Sequence, residues 1–180
     1  MTQYDFTLKL ALGQHDADPD AFVERLLAEG CDDALIGVGQ HGRIALNFTR
    51  EAANADEAVL SALSDVQRAI PDAKLVEASP DLVGLTDIAN LLGFSRQYMR
   101  KLVLNSGPEF PLPVHEGKPA IWHLATVLVW FKEQQGRKFQ GRKFDEALLG
   151  VSRINMQCNL FKESAGLDHA LSDRLKSLVA

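Results

Sequence analysis

The sequence predicts an α+β protein in which an acidic sheet domain precedes a basic helical unit and a helical tail. Three observations support this: strand-like and helix-like patterns alternate over the first eighty residues, short helices and paired prolines follow, and charge divides between the two parts. The chain has 180 residues, of which 46% are hydrophobic and 24% charged, a profile typical of soluble globular proteins. Since it has neither an apolar run of about 18 residues nor a secretory leader pattern, we expect a cytoplasmic protein without a membrane partner.

The charge distribution predicts where a polyanion binds. Residues 1–81 hold 6 Lys/Arg against 15 Asp/Glu, a net charge of −9. Residues 82–144 hold 9 basic and 4 acidic residues, a net charge of +5, and residues 145–180 hold 4 and 5, a net charge of −1. Such a division indicates different partners for different parts of the chain. The middle part is the expected site for a nucleic acid.

The first strand and helix follow from the pattern of residues 4–30. Residues 4–12 alternate apolar and polar side chains, as in a strand with one buried face. Asp18 is placed to cap a helix whose first turn suits Pro19, and apolar residues then recur at helical spacing. Gly30 ends this run.

A hairpin, a second helix and a last strand complete the acidic domain. Two apolar runs, residues 34–38 and 43–48, flank a GQHG segment typical of a tight turn. Asn54 caps a helix that ends at Pro71, and residues 73–78 form the last strand. The order β-α-β-β-α-β is that of ferredoxin-like folds, so residues 1–79 are predicted to form one such domain. The polar segment 77–81 is the expected boundary.

Residues 82–144 predict two short helices joined by a tight turn. Thr86 is placed to cap the first helix, Gly93 to end it, and Ser95 to cap the second. Met99 and two following apolar residues point inward on the second helix, which leaves its long polar side chains exposed. Arginine pairs bidentately with guanine and glutamine with adenine, so this pattern is typical of a helix-turn-helix that contacts DNA. The exposed set is Arg96, Gln97, Arg100 and Lys101, with Tyr98 near its edge.

The segments GLTDIANLLGFSRQYMRKL, FPLPV and IWHLATVLVWF together resemble the winged helix-turn-helix of the MerR and phage-excisionase group. The resemblance covers residues 83 to about 131 and includes a proline-bracketed strand before the wing. It implies that the second helix enters the major groove and that a hairpin wing contacts the DNA backbone or the minor groove, with Trp122 anchoring the wing to the core. The DNA-contact residues it implies are Thr86, Ser95, Arg96, Gln97, Tyr98, Arg100 and Lys101, with His115, Gly117 and Lys118 at the wing tip.

The chain departs from the MerR pattern in three respects. An acidic domain precedes the winged unit, the tail is short with a break at Gly166, and no cysteine cluster is present. Metal sensing and promoter untwisting are therefore not expected. A charged helix face is usually only solvated, and Tyr98 is as consistent with packing under the turn as with DNA contact. The glycine turn, capping serine and wing in succession favour DNA contact.

A local repeat, Gly-Arg-Lys-Phe, occurs at residues 136–139 and 141–144. Basic residues interleaved with aromatic ones are suited to a phosphate backbone. The alternative is an exposed linker with two phenylalanines docked on the core. The candidate phosphate contacts are Arg137, Lys138, Arg142 and Lys143.

Residues 145–180 form a predicted helical tail with two apolar stripes, interrupted near Gly166. One DNA-binding unit buries too little surface for strong selectivity, so we expect a homodimer, formed by this tail or, second, by the sheet domain. The stripes are Ala147, Leu148, Val151, Ile154, Cys158 and Phe161, and then Leu167, Leu171, Leu175 and Leu178.

The combined interpretation is a sequence-specific double-stranded DNA-binding regulator, a dimeric repressor or autoregulator associated with the nucleoid. The scattered histidines and two distant cysteines match no metal or catalytic spacing, so no cofactor, metal or enzymatic activity is expected. The acidic domain is expected to face away from DNA and to bind a protein partner or an effector. Two alternatives stay open: a protein-interaction adaptor, and an excisionase-like architectural factor that bends DNA.

Overall fold

A computed structural model of the protein describes residues 1–13, 18–38, 40–138 and 144–167. Within these ranges the protein is a mixed α+β structure with an antiparallel sheet. The strands are β1 (Thr2–Ala11), β2 (Ala34–Gly37), β3 (Arg43–Ala52), β4 (Lys74–Ser79), β5 (Leu82–Val83) and β6 (Trp122–His123). The α-helices are α1 (Val23–Ala28), α2 (Ala55–Ala69), α3 (Leu85–Leu91), α4 (Arg96–Ser106), α5 (Leu124–Lys138) and α6 (Glu146–Ser164). Short 3₁₀ turns cover Pro19–Phe22 and Gly107–Glu109.

The main sheet has the strand order β2-β3-β1-β4, and every neighbouring pair is antiparallel. The predicted caps are confirmed, since Asp18 Oδ1 accepts from the amide of Asp20 at 3.0 Å and Asn54 Oδ1 accepts from that of Glu57 at 2.8 Å. The second strand of the hairpin is longer than predicted and continues to Ala52. The sheet core includes many alternate β1 and β3 residues, and the α2 side chains Ala58, Val59, Ala62 and Val66.

An arginine lies in this core. The Arg50 side chain on β3 is only 9% exposed and donates to both carboxylate oxygens of Asp33, at 2.7 and 3.0 Å, and to Asp65 at 2.7 Å. It also donates to Ser61 Oγ at 3.0 Å and to the Gly30 carbonyl at 2.8 Å. Burial opposes its charge, but the hydrogen bonds to the two carboxylates leave the pKa of Arg50 above its ordinary value. This cluster ties β3, α2 and the turn after α1 together.

Helix α6 covers the β4 edge of the sheet. Asn159 accepts from the Ala78 amide at 2.9 Å and donates to the Ala78 carbonyl at 2.8 Å, while Lys162 Nζ donates to the Val76 carbonyl at 2.6 Å. An added Cβ on Gly150 would lie 2.9 Å from the Ala55 Cβ of α2, so the two helices cross closely. α6 is therefore an integral part of the sheet domain.

The first predicted dimer stripe is largely used inside the chain. Its members Ala147, Val151, Ile154 and Cys158 pack on the sheet core, and Leu148 packs on the second core. The interpretation of this segment as a free dimer surface is therefore wrong, because the sheet edge and α2 already cover it. Phe161 at its end is 80% exposed. The second stripe starts at exposed Leu167, and its remaining members, Leu171, Leu175 and Leu178, lie outside the described residues.

The expected polar boundary at residues 77–81 is a packed junction. Asp81 is 1% exposed; its Oδ1 lies 2.7 Å from His123 Nδ1, and its Oδ2 accepts from Asn159 Nδ2 at 2.8 Å. Asn155 Nδ2 donates to the Pro80 carbonyl at 3.3 Å. This polar segment is buried because α6 returns to it and supplies its hydrogen-bond partners. In the described ranges, no helix combines the length and apolar character needed to cross a membrane.

Candidate nucleic-acid interface

Helices α3 and α4 are joined by the tight turn that the sequence predicted. Gly93 adopts a φ of 66°, a left-handed conformation that glycine tolerates readily. Ser95 Oγ accepts from the Tyr98 amide at 3.1 Å and caps α4. The predicted cap at Thr86 is wrong: α3 begins at Leu85, and the Asp87 carboxylate reaches back to the Gly84 amide at 2.9 Å. Thr86 is exposed in the first turn of α3.

The inner side of α4 fixes its position. Met99 is fully buried in the second core, which also contains Ile88 of α3 and Trp122 of β6. The Tyr98 ring stacks on Phe94, with ring centroids 4.8 Å apart. The structure therefore has Tyr98 packed under the turn, which was one of its two alternatives. Because Tyr98 is still 42% exposed, part of its ring remains at the surface.

The outer side of α4 is basic. Arg96, Gln97, Arg100 and Lys101 are all exposed, and α4 contains no acidic residue. Positions three and four apart share a helix face, so these four side chains form one contiguous surface. Within the part of the chain that the structure describes, none of the three cations has a salt bridge within 4 Å. Long donors that are not held by carboxylates can pair with phosphates or base edges.

The predicted wing is a compact turn between residues 114 and 121. The Ile121 amide donates to the His115 carbonyl at 3.0 Å, and the Val114 amide donates to the Ile121 carbonyl at 2.8 Å. An added Cβ on Gly117 would meet only the ring of His115, an exposed side chain that can turn away. His115 and Lys118 are both exposed.

The segment before the wing differs from the predicted strand. Residues 111–113 are not a strand, because Pro111 and Pro113 lack the amide hydrogen that a ladder requires. Trp122 is buried, and its Nε1 donates to the Pro111 carbonyl at 2.9 Å. Trp122 therefore holds the segment before the turn against the second core.

The repeated basic segment is only partly described. Arg137 and Lys138 end α5, but their side chains are outside the description, and Arg142 and Lys143 lie outside the described residues altogether. Phe144 is half-buried on the second core, with Lys132 Nζ 5.8 Å from its ring centroid. Phosphate contact by this repeat stays a prediction.

The buried junction between this unit and α6 is a feature that the sequence patterns did not predict. His123, interpreted as an ordinary histidine, contacts buried Asp81, whose carbonyl also accepts from the Leu124 amide at 2.7 Å. Asn155 and Asn159 complete the junction from α6. The sequence did contain one signal for this junction: Asn155 and Asn159 lie four residues apart beside the apolar stripe of α6. Amides buried at such positions need hydrogen-bond partners from elsewhere in the chain.

The acidic domain offers an open groove for the expected effector or protein partner. The groove has a volume of about 800 Å³ and lies between the outer face of the sheet and the start of α6. Its floor includes Asp5, Thr7, Asn47 and Thr49, in which each threonine donates to its cross-strand neighbour at 2.7–2.8 Å. The effector itself stays a prediction.

Neither thiol is activated. Burial, reinforced by the charge of Asp65, raises the pKa of Cys31 to about 11, and burial raises the pKa of Cys158. A raised pKa keeps a thiol protonated and poorly nucleophilic at neutral pH. Among the described residues, no three His, Cys, Asp or Glu side chains are grouped closely enough to hold a metal ion.

Comparisons with known proteins found no match to a family model, a curated protein or a solved structure. The features that bear on function are therefore the geometry of α4, the turn at residues 114–121 and the charges around them. These features are two helices joined by a glycine turn, a compact wing, and an exposed helix face whose cations form no salt bridge within the described residues.

Proposed function

We propose that this protein is a sequence-specific double-stranded DNA-binding regulator, a dimeric repressor or autoregulator associated with the nucleoid. The observation that carries the proposal is the exposed face of α4, where three cations and a glutamine lie without an acidic residue on the helix. The succession of α3, a glycine turn, α4, a compact wing and α5 supports a winged helix-turn-helix over residues 82–144. The strand order β2-β3-β1-β4 supports a ferredoxin-like domain before it.

In this proposal α4 enters the major groove, where some of its side chains contact base edges and others contact phosphates. Arg96, Gln97 and Arg100 read base edges, and each good bidentate pair discriminates against the wrong base by about 1–3 kcal/mol. Lys101 and the wing residue Lys118 contact phosphates, which adds affinity without sequence information. The acidic half, with its net charge of −9, faces away from the duplex.

The test is a fluorescence-anisotropy titration at several salt concentrations. It compares a duplex from upstream of the protein's own gene with a scrambled duplex. We expect tight binding to the first, a steep fall in affinity with salt, and weaker binding to the second. Equal binding to both duplexes supports the architectural alternative, and no binding at low salt supports the adaptor.

A matched pair of variants locates the interface. Arg96→Ala removes one exposed cation from α4, and Arg153→Ala removes one from α6. We expect Arg96→Ala to lose about 1–3 kcal/mol of preference for the specific duplex, while Arg153→Ala leaves that preference unchanged. Equal effects of the two substitutions would contradict the assignment of α4 as the base-reading helix.

A further inference from the structure

The two edges of the main sheet differ in how they are covered. The β4 edge is occupied by α6, whose Asn159 and Lys162 side chains bond its backbone at Ala78 and Val76. The β2 edge is a short apolar strand, Ala34–Gly37, without lysine or proline. Natural proteins protect exposed strand edges with such residues or with covering elements, because a bare edge pairs readily with another strand.

The backbone groups that β2 turns outward can be deduced from the register. The Thr49 amide donates to the Asp33 carbonyl at 3.1 Å, so these opposed residues form a hydrogen-bonded pair. Such pairs alternate along an antiparallel ladder, so the amide and carbonyl of Ile36 face away from β3. No hydrogen bond within the described residues reaches these two groups of Ile36.

Contacts within one copy of the chain explain neither the exposed leucine at position 35 nor the glycine at position 37 of this strand. Leu35 is 73% exposed on the mostly polar outer face of the sheet, where the side chain of Ala45 is much smaller. Gly37 has ordinary backbone angles, and an added Cβ would meet the Ala45 carbonyl oxygen at 3.5 Å, an ordinary contact. Glycine weakens a strand and often marks a place where another backbone approaches closely.

We propose that β2 pairs with β2 of a second copy, antiparallel and centred on Ile36, to make one continuous eight-stranded sheet. Each Ile36 amide then donates to the partner's Ile36 carbonyl, and each Val38 amide donates to the partner's Ala34 carbonyl. Leu35 falls opposite the partner's Gly37 in a non-hydrogen-bonded pair, where strands approach most closely. The missing side chain of Gly37 provides the space that Leu35 occupies.

Charge favours this antiparallel arrangement. The exposed Asp32 precedes β2, beside Asp33 with its own cation Arg50, whereas Gln40 and His41 follow the strand. Antiparallel pairing places the acidic end of each strand beside the uncharged or basic end of the other and keeps the like charges apart. An interface built on one short strand is smaller than the usual stable dimer interface, so the dimer is reversible in the micromolar range.

The test measures the mass of the full-length protein without DNA, by light scattering and sedimentation equilibrium. We expect the unsubstituted protein to approach twice 19.8 kDa as its concentration rises through the micromolar range. Leu35→Lys places charge at the pairing edge, and Gly37→Val fills the space of the partner's leucine. Both variants are expected to stay monomeric without a fall in melting temperature, because neither substitution disturbs a contact within one copy and valine favours a strand more than glycine does.

The matched control is Phe161→Lys, which also exchanges an exposed apolar side chain for a lysine, but on α6. We expect this variant to dimerise like the unsubstituted protein. A monomeric unsubstituted protein overturns the proposal, as does a dimer that survives Leu35→Lys and is lost on Phe161→Lys. Because no DNA is present, failure of this test leaves the proposed DNA binding intact, and the reverse also holds.

Cysteine cross-linking checks the register. The double variant L35C/G37C places two thiols opposite each other across the pair and is expected to form a disulfide-linked dimer on oxidation. The single variant L35C leaves the two new thiols diagonal and out of reach, and is expected to stay unlinked. Efficient cross-linking of L35C alone would overturn the pairing centred on Ile36.

Discussion

Replacing Asn159 by alanine tests whether α6 joins the sheet domain to the basic unit. The Asn159 amide satisfies the Ala78 amide, the Ala78 carbonyl and the buried Asp81 carboxylate, all within 2.9 Å. Each buried polar group left unsatisfied costs about 1–3 kcal/mol, less where water enters. We expect Asn159→Ala to lower the free energy of unfolding by about 3 kcal/mol. For a chain of this size that corresponds to a melting temperature lowered by roughly 6–12 °C.

Two probes follow the unfolding separately in this experiment. Trp122 and Trp130 both lie in the second core, so tryptophan fluorescence reports on the basic unit, while far-UV circular dichroism reports on the whole chain. The two urea curves are expected to coincide for the unsubstituted protein, as in a two-state transition. In Asn159→Ala they are expected to separate, because the junction no longer couples the two cores.

The matched control is Gln157→Ala, an exposed amide on the same helix. Its effect is expected to stay within about 0.5 kcal/mol, as for most surface substitutions. A loss for Asn159→Ala no larger than that of Gln157→Ala would refute the reasoning, since the buried hydrogen bonds would then contribute nothing measurable. Coincident unfolding curves in Asn159→Ala would show that the coupling between the cores arises elsewhere.

Three further substitutions test the sheet domain. Arg50→Leu leaves Asp33 without its cation, while Asp65 keeps its ion pair with Arg68, and is expected to cost about 3 kcal/mol in urea unfolding, whereas Arg43→Ala, an exposed cation of the same strand, is expected to cost little. Gly150→Val forces apart the α2 and α6 backbones and is expected to cost about 1–3 kcal/mol, while Gly166→Ala, with open space around it, is expected to be neutral. Because burial raises the Cys31 pKa from 9.0 to about 11, its contribution to stability is complete below pH 9 and is lost as the pH rises through 11. Cys31→Ala is therefore expected to flatten the fall in melting temperature across that alkaline window, and an unchanged slope would contradict the pKa assignment.

Local chemistry explains how much of the fold could be predicted. The Asp18 and Asn54 caps and the Gly93 turn depend on a few adjacent residues, and the structure has all three. The sequence alone assigned the wrong cap to α3, because Thr86 and Asp87 are both polar side chains that can accept a hydrogen bond from an amide at a helix N-terminus. Asp87 takes it by bonding the Gly84 amide from three residues downstream.

Long-range contacts explain what could not be predicted. The periodicity of α6 identifies an apolar face but does not identify the surface that covers it. That surface, β4 and α2, lies about 80 to 100 residues earlier in the chain. The buried partners of Arg50 and Asp81 likewise come from separate elements, so the sequence alone leaves these charges indistinguishable from solvated ones. The exposed basic face of α4 is the opposite case, since the local helical pattern and the Ser95 cap determine which side chains point outward.

The proposed dimer and the proposed DNA site constrain each other through the width of the sheet. Pairing at β2 places the two β4 strands at opposite ends of eight strands, about 34 Å apart at the usual strand spacing of about 4.8 Å. The junction at Asp81 and Asn159 attaches each basic unit to the β4 strand of its own copy, so the two α4 helices are held at one fixed separation. If both proposals hold, the operator has two half-sites at a single spacing, and changing that spacing by half a helical turn removes the gain from binding as a dimer.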